Sequence, residues 1–280
     1  INIAEDFIGF SKLVNSGTSY KGTTVFLDAD IDFSGGLSEQ FKLIGENNNY
    51  FQGTFDGQGH TISKITIKSS LKYVGLFGRS TVTTIRNVIL DPSCSILTSY
   101  TGPNEAKIGG IIGQCESIDG PCLIENIVSM ASISLIGTVG NLFLGGIAGI
   151  LHTRGNSIAI VRNCVNSGPI THSGTTSGRT YVGSIVGESD GSSSNSAYIQ
   201  NCFNYGTITH NGTTANTLHI GGISGYAHTS GTSVVENCVS GGRISVENTA
   251  NVNIGSVVGQ ASSGTITITH CYWTSDVGYN

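Results

Sequence analysis

The sequence predicts an all-β chain: a right-handed parallel β-helix of three-strand coils, about 7–8 turns long, behind an N-terminal capping α-helix. Three observations predict it: a glycine unit that returns at a near-constant interval, an Asn-centred run that follows each unit, and an amphipathic segment at the start. The glycine unit is an apolar residue, Gly, a small residue, two more residues and a closing Gly, as in Ile108-Gly109-Gly110-Ile111-Ile112-Gly113. The closing glycines are Gly78, Gly113, Gly149, Gly187, Gly225 and Gly259, spaced by 35, 36, 38, 38 and 34 residues. A period of this size marks a solenoid or a propeller.

The second run reads Ile85-Arg86-Asn87-Val88, Ile124-Glu125-Asn126-Ile127, Val161-Arg162-Asn163-Cys164, Ile199-Gln200-Asn201-Cys202, Val235-Glu236-Asn237-Cys238 and Ile268-Thr269-His270-Cys271. A third run closes several units, as in Gly206-Thr207-Ile208-Thr209. Each unit is therefore three short β-like runs broken by Gly, Asn and Ser, with no helical stripe between them. A propeller blade needs four antiparallel strands and tight hairpins, and neither a fourth run nor two-residue hairpin signals occur. Columns that keep their chemistry point to coils stacked in parallel and in register. Strand twist and the crossover rule make the expected hand right.

Stacking gives each column a role. Asn87, Asn126, Asn163, Asn201 and Asn237 form a candidate structural ladder that hydrogen-bonds along the stack, ended by His270. The next column, Val88, Ile127, Cys164, Cys202, Cys238 and Cys271, mixes apolar residues with Cys and is placed facing the core. Cys164 with Cys202 and Cys238 with Cys271 lie within reach of disulfides, buried thiols being the alternative. Cys115 and Cys122 flank a short loop suited to a local bridge, and Cys94 is left over. At the N-terminus, Ile3, Phe7, Phe10 and Val14 share one helical face, with Asn2 and Glu5 as N-cap and N3 residues. Such a helix covers the open edge of the first coil. One domain is expected over 1–280, with the cap and first coils in 1–70 and six repeats in 71–280.

Composition narrows the function. Charged residues are 11% of the chain, with 13 Lys and Arg against 18 Asp and Glu. The net charge of −5 offers no basic stripe for phosphates, so nucleic acid is not an expected partner. No apolar run reaches the ~18 residues that span a bilayer, and membrane insertion is not expected. No cofactor is implied. Asp28, Asp30 and Asp32 alternate and are a weak calcium candidate, weighed against ordinary exposed carboxylates. His172 and His210 occupy matching positions and are expected to stack as surface neighbours. Asn211-Gly212-Thr213 makes Asn211 a glycosylation candidate, and the loops Ser173 to Thr180 and the serine-rich Ser189 to Ser196 are candidates for O-linked sugar, plain solvated turns being the alternative.

At the glycine and Asn-Cys runs the chain resembles GLUG-motif repeat proteins, whose units read Val-Gly-Gly-Leu-Val-Gly and Ile-x-Asn-Cys-Tyr. Phe51-Gln52-Gly53-Thr54-Phe55-Asp56-Gly57-Gln58-Gly59-His60-Thr61-Ile62 and Cys271-Tyr272-Trp273 resemble the lead-in and closing units of such repeats. Gly75, in an offset position, and His270 depart from the pattern. The resemblance implies an adhesin-like surface or secreted protein of a microbe. The expectation is thus a non-enzymatic, extracellular or cell-surface structural and adhesive solenoid, a candidate subunit of a surface fibre or filament, that associates with itself or with extracellular proteins and glycans. The alternatives are a carbohydrate-active β-helix enzyme of the lyase or hydrolase kind and a glycan-binding module. An enzyme needs carboxylates gathered about one bond, whereas Glu125, Glu188, Asp190 and Glu236 are scattered along the sequence with no Asp-Asp pair.

Overall fold

The computed structural model describes residues 1–274 apart from 47, 156, 192–194, 248–250 and 263. The serine-rich candidate for O-linked sugar falls partly outside these residues. The chain is an all-β parallel solenoid with one N-terminal helix, α1 (Ala4–Asn15). Like columns sit on like: Ile108 pairs upward through Leu144, Val182, Ile220 and Ile254. This alignment lets every coil bury the same side of each strand.

A representative coil starts in sheet I at Ala106–Gly109 and crosses the glycine unit into sheet II at Ile112–Ile118. It then passes through sheet III at Cys122–Ser129, sheet IV at Ser132–Leu135 and sheet V at Thr138–Val139. The expected three runs are thus five strands in this coil. The glycine unit divides one run between sheets I and II, and the short Thr138–Val139 strand has no run of its own in the sequence. Sheets I, II and IV hold six strands each, so five turns separate their first strand from their last. The expected 7–8 turns assumed full coils before residue 66. There, strands join sheet III only, through Thr24–Phe26, Ile31–Asp32, Thr54–Asp56 and Thr61–Ser63. Isolated bridges from Ile44 to Phe77 and from Phe51 to Ser80 supply the rest of the pairing on that side.

Aromatic bulk explains why the first coils differ. Phe7 and Phe10 of α1 enter a buried group with Phe33, Phe41, Phe51, Phe55 and Phe77. Asn15 ties the helix end down by accepting from the backbone N–H groups of Gly45 and Glu46 at 2.9 Å and donating to the Leu43 carbonyl at 2.9 Å. The buried face is Ala4, Phe7, Ile8, Phe10, Ser11 and Val14, whereas Ile3 is the N-cap residue and is exposed. The expected Asn2 cap is displaced by one residue. Asp6 instead reaches back to accept from the Asn2 N–H at 3.1 Å.

The closing glycines answer a packing limit rather than a torsional one. A Cβ on Gly149 would lie 2.5 Å from the Gly113 carbonyl oxygen, and one on Gly187 2.5 Å from that of Gly149. On Gly225 and Gly259 the approach to the glycine carbonyl of the preceding coil would be 2.7 Å. No side chain fits between sheets I and II at this level, because backbone lies on both sides. The flanking Ile111, Ile147, Ile185 and Ile223 are buried. Gly187→Ala is therefore expected to cost about 3 kcal/mol, read as a fall in the urea midpoint with an unchanged slope. A loss within experimental error would show that the coils can spread there.

Candidate functional site

The Asn column carries the longest side-chain ladder. Asn87, Asn126, Asn163, Asn201 and Asn237 all have φ between +53° and +56°, and His270 has +49°. Asn tolerates this left-handed conformation better than other non-glycine residues. The amide of each Asn donates to the Oδ1 of the one before: Asn126 to Asn87 at 3.0 Å, Asn163 to Asn126 at 3.1 Å, Asn201 to Asn163 at 3.0 Å and Asn237 to Asn201 at 3.2 Å. Asn87 donates in turn to Asp56 Oδ1 at 2.8 Å, so a carboxylate terminates the row.

The bend turns the following residue inward. Val88, Ile127, Cys164, Cys202 and Cys238 are fully buried. Cys164, Cys202, Cys238 and Cys271 are free thiols, and the two inter-coil disulfides considered from sequence do not form. Each thiol donates to the carbonyl two residues earlier, at 3.1 Å for Cys164 and 3.2 Å for Cys202 and Cys238. Burial pushes the Cys202 thiol well above its ordinary range, and burial raises Cys94 to about 11. These are packing residues held protonated, not nucleophiles. The disulfide that does form is the local one, Cys115–Cys122.

The other candidates are separated by the fold. Asp28 accepts from Gln58 Nε2 at 3.0 Å, Asp30 from the Thr61 N–H at 2.8 Å with His60 Nδ1 at 3.2 Å, and Asp32 from Lys64 Nζ at 2.8 Å. Hydrogen bonds from Thr61 and His60 lower the Asp30 pKa, and those from Lys64 and Ser34 lower that of Asp32. Each carboxylate answers its own partner on the next coil, and no metal-holding group of His, Cys, Asp or Glu occurs among the described residues. Asn211 is exposed at the corner after Ile208–His210.

His172 and His210 do stack, but inside. Both are buried, with Nδ1 to Nδ1 at 2.9 Å. Their column continues with Leu135 below and Val246 above, which explains the inward orientation. One ring donates its Nδ1–H to the bare Nδ1 of the other, and burial disfavours a proton beyond that on either ring. Burial lowers His172 to about 3, helped by His210, and burial alone lowers His210 to about 4.

The largest gathering of chemistry lies where the glycine unit folds the wall inward. Outward residues of sheets I and II then face each other across a groove of about 480 Å³. One wall is the column Tyr73, Lys107, Phe143, Tyr181 and His219. The other is Arg79, Gln114, Ile150, Glu188 and Tyr226, with Glu116, His152, Asp190 and His228 two residues further along the same strands. Lys107 Nζ crosses the groove to Gln114 Oε1 at 3.1 Å.

Most charges here are paired. Glu116 binds Arg79 through its Oε2 and Arg154 through its Oε1, the latter at 3.0 Å. Lys107 meets Glu105 at 2.9 Å. Asp190 sits between two imidazoles on the coils below and above, 3.7 Å from His152 Nδ1 and 3.4 Å from His228 Nδ1. Glu188 is 6% exposed, with His228 Nδ1 at 4.0 Å from its carboxyl. Burial, then the neighbouring Asp190, pushes Glu188 up to about 8. Tyr181 and Tyr226 stack at 4.5 Å, and His228 lies parallel to Tyr226 at 5.6 Å. Sequence inspection left Glu188 and Asp190 as scattered acids. Counting from the closing glycine would have aligned Glu116, His152, Asp190 and His228, each three residues beyond Gly113, Gly149, Gly187 or Gly225.

No family model matches the chain, and no curated protein matches it. Among solved structures it resembles that of a putative immunoglobulin A1 protease from Bacteroides ovatus. The TM-score is 0.67 at 22% identity, over 100% of this chain and 76% of that one. At this identity the likeness establishes the shared solenoid fold alone.

Asn201→Ala is expected to cost about 2 kcal/mol, combining the left-handed backbone penalty with two lost ladder bonds. Asn201→Gly should cost about 1 kcal/mol, since glycine keeps the bend. Equal losses in equilibrium unfolding would mean that the bend conformation contributes nothing. The histidine pair adds a pH signature. Its folded pKa values lie below the unfolded value of ~6.5, so the unfolded chain takes up protons first as pH falls. Stability is full above ~6.5 and declines towards pH 4. Between pH 7 and 4.5 the loss should be up to about 5 kcal/mol, each histidine contributing about 1.4 kcal/mol per pH unit below ~6.5. It should shrink in the His172→Leu/His210→Leu double variant, whose side chains match Leu135 in the same column. A pH profile unchanged by that substitution would refute the assignment.

Proposed function

We propose that the chain is a non-enzymatic, right-handed β-solenoid of the GLUG-repeat kind, serving as a structural and adhesive rod outside the cell or at its surface. The observation that supports this most is the unbroken stacking of like side chains, such as the Asn ladder from Asp56 to Asn237. A fold that builds the same coil repeatedly makes a stiff spacer with long, regular outer columns. One such column, Ile89, Val128, Val165, Phe203, Val239 and Tyr272, leaves apolar side chains half-buried or exposed beside the Asn ladder. It offers a surface for self-association or for an extracellular partner. The Cys115–Cys122 disulfide suits an oxidising compartment. No helix among the described residues is long and apolar enough to cross a membrane.

A carbohydrate-active enzyme is the competing reading, and the meeting of Glu188 with Asp190 is the observation that favours it. Two carboxyl groups of unlike protonation on one face are what glycoside cleavage requires. Negative-stain microscopy and reducing-end assays separate the two. The rod reading expects straight particles, single or joined end to end, and no new reducing ends from a polysaccharide panel. Release of reducing ends that stops in Glu188→Gln and Asp190→Asn would overturn the non-enzymatic assignment.

A further inference from the structure

We propose that the inward-folded corner between sheets I and II is the adhesive face of the rod and binds a neutral oligosaccharide, sugar rings lying on Tyr226 and hydroxyls exchanged with Glu188, Asp190 and Arg154. The inference rests on the adhesive reading and names its ligand. Four considerations support it.

First, the corner is elongated. From Tyr73 to His219 the wall spans four coil steps, ~19 Å at the usual strand spacing. This shape fits a chain-like ligand rather than a compact metabolite. Second, Glu188 is a polar side chain more than nine-tenths buried that lines the groove. Kept protonated, its carboxyl offers both a donor and an acceptor, the dual character that a sugar hydroxyl matches. Asp190 beside it only accepts.

Third, the charges are engaged within the wall, Arg79 and Arg154 sharing Glu116 and Lys107 meeting Glu105. An anionic or cationic ligand would have to break these pairs, whereas an uncharged polyol uses their remaining lone pairs and N–H groups. Tyr226 is partly exposed: Tyr181 stacks on it at 4.5 Å and His228 lies parallel at the longer distance of 5.6 Å, and the uncovered part of its ring offers the flat apolar surface that one side of a sugar ring needs. Fourth, the walls are sheet faces, and their strands are already paired with the coils above and below. An extended peptide finds no free strand edge to extend, so recognition falls to side chains.

The test uses the full chain. A panel of neutral oligosaccharides, comprising gluco-, xylo-, manno-, galacto- and N-acetylglucosamine series, is screened on an array, and hits are measured by calorimetry from pH 6 to 9. At least one series should bind. Tyr226→Ala should weaken it at least tenfold while leaving the melting curve in place, and Tyr226→Phe, which keeps the ring, should retain binding. Glu188 faces Asp190, Glu105, Lys107, Arg179, His228 and Tyr181. As it ionises above about 8, wild-type affinity should fall several-fold towards pH 9. Glu188→Gln, which keeps a donor and an acceptor without a titrating proton, should bind at pH 7 and hold its affinity at pH 9. If Tyr226→Ala fails to fold, the pH contrast between wild type and Glu188→Gln decides alone. Straight rods with no oligosaccharide bound, or binding only of charged glycans or peptides, would overturn the corner site and leave the rod intact. Globular particles would overturn the rod reading instead.

Discussion

Parallel in-register stacking asks every coil to bend at the same point, and the left-handed Asn is where that demand is most severe. At Asn126, Asn163, Asn201 and Asn237 the backbone takes a φ near +54°, costly for most residues, and repeats it directly above the previous occurrence. Asn answers twice, since it tolerates the conformation and its amide reaches the next amide along the axis. The bend swings the succeeding residue into the core, so one torsion aligns three columns: the polar residue before it, the ladder itself and the buried Val, Ile or Cys after it. His270 keeps the torsion at +49°, so the geometry of the bend outlasts the residue that best satisfies it.

The glycine unit is a second constraint of a different kind. Its closing residue has an ordinary negative φ and is glycine because backbone stands within 2.5–2.7 Å of any Cβ. Squeezing the wall there narrows the interior and folds the exterior inward. The same residue that thins the core therefore creates the concave outer corner, and three residues beyond Gly113, Gly149, Gly187 and Gly225 the side chain varies from Glu116 to His152, Asp190 and His228 while the glycine recurs. Packing sets the shape of the groove, and the outward positions are left to chemistry.

Much of this was readable from the letters because stacking turns structural equivalence into sequence period. The ladder, the inward Cys column, the local Cys115–Cys122 bridge and the N-terminal helix all follow from residue type and spacing. What eluded reading were quantities that depend on neighbours in space. His172 and His210 look like surface residues because His is polar, yet they share a column with Leu135 and Val246 and are buried with them. The number of strands per coil was underestimated because a two-residue strand such as Thr138–Val139 has no pattern of its own. The acids of the corner passed as scattered, since Glu116 and Asp190 are 74 residues apart and only the coil register brings them onto one face.

Burial with an imidazole at 4.0 Å as its ion-pair contact separates Glu188 from Glu116. Glu116 is just as buried, but two guanidinium groups offset the cost of its charge. Glu188 has Tyr226 above it, Ile150 below and a like-charged neighbour in Asp190, so retaining its proton is the less costly solution. Keeping an acid in that position costs stability, and the oligosaccharide site proposed above is a role that would offset the cost.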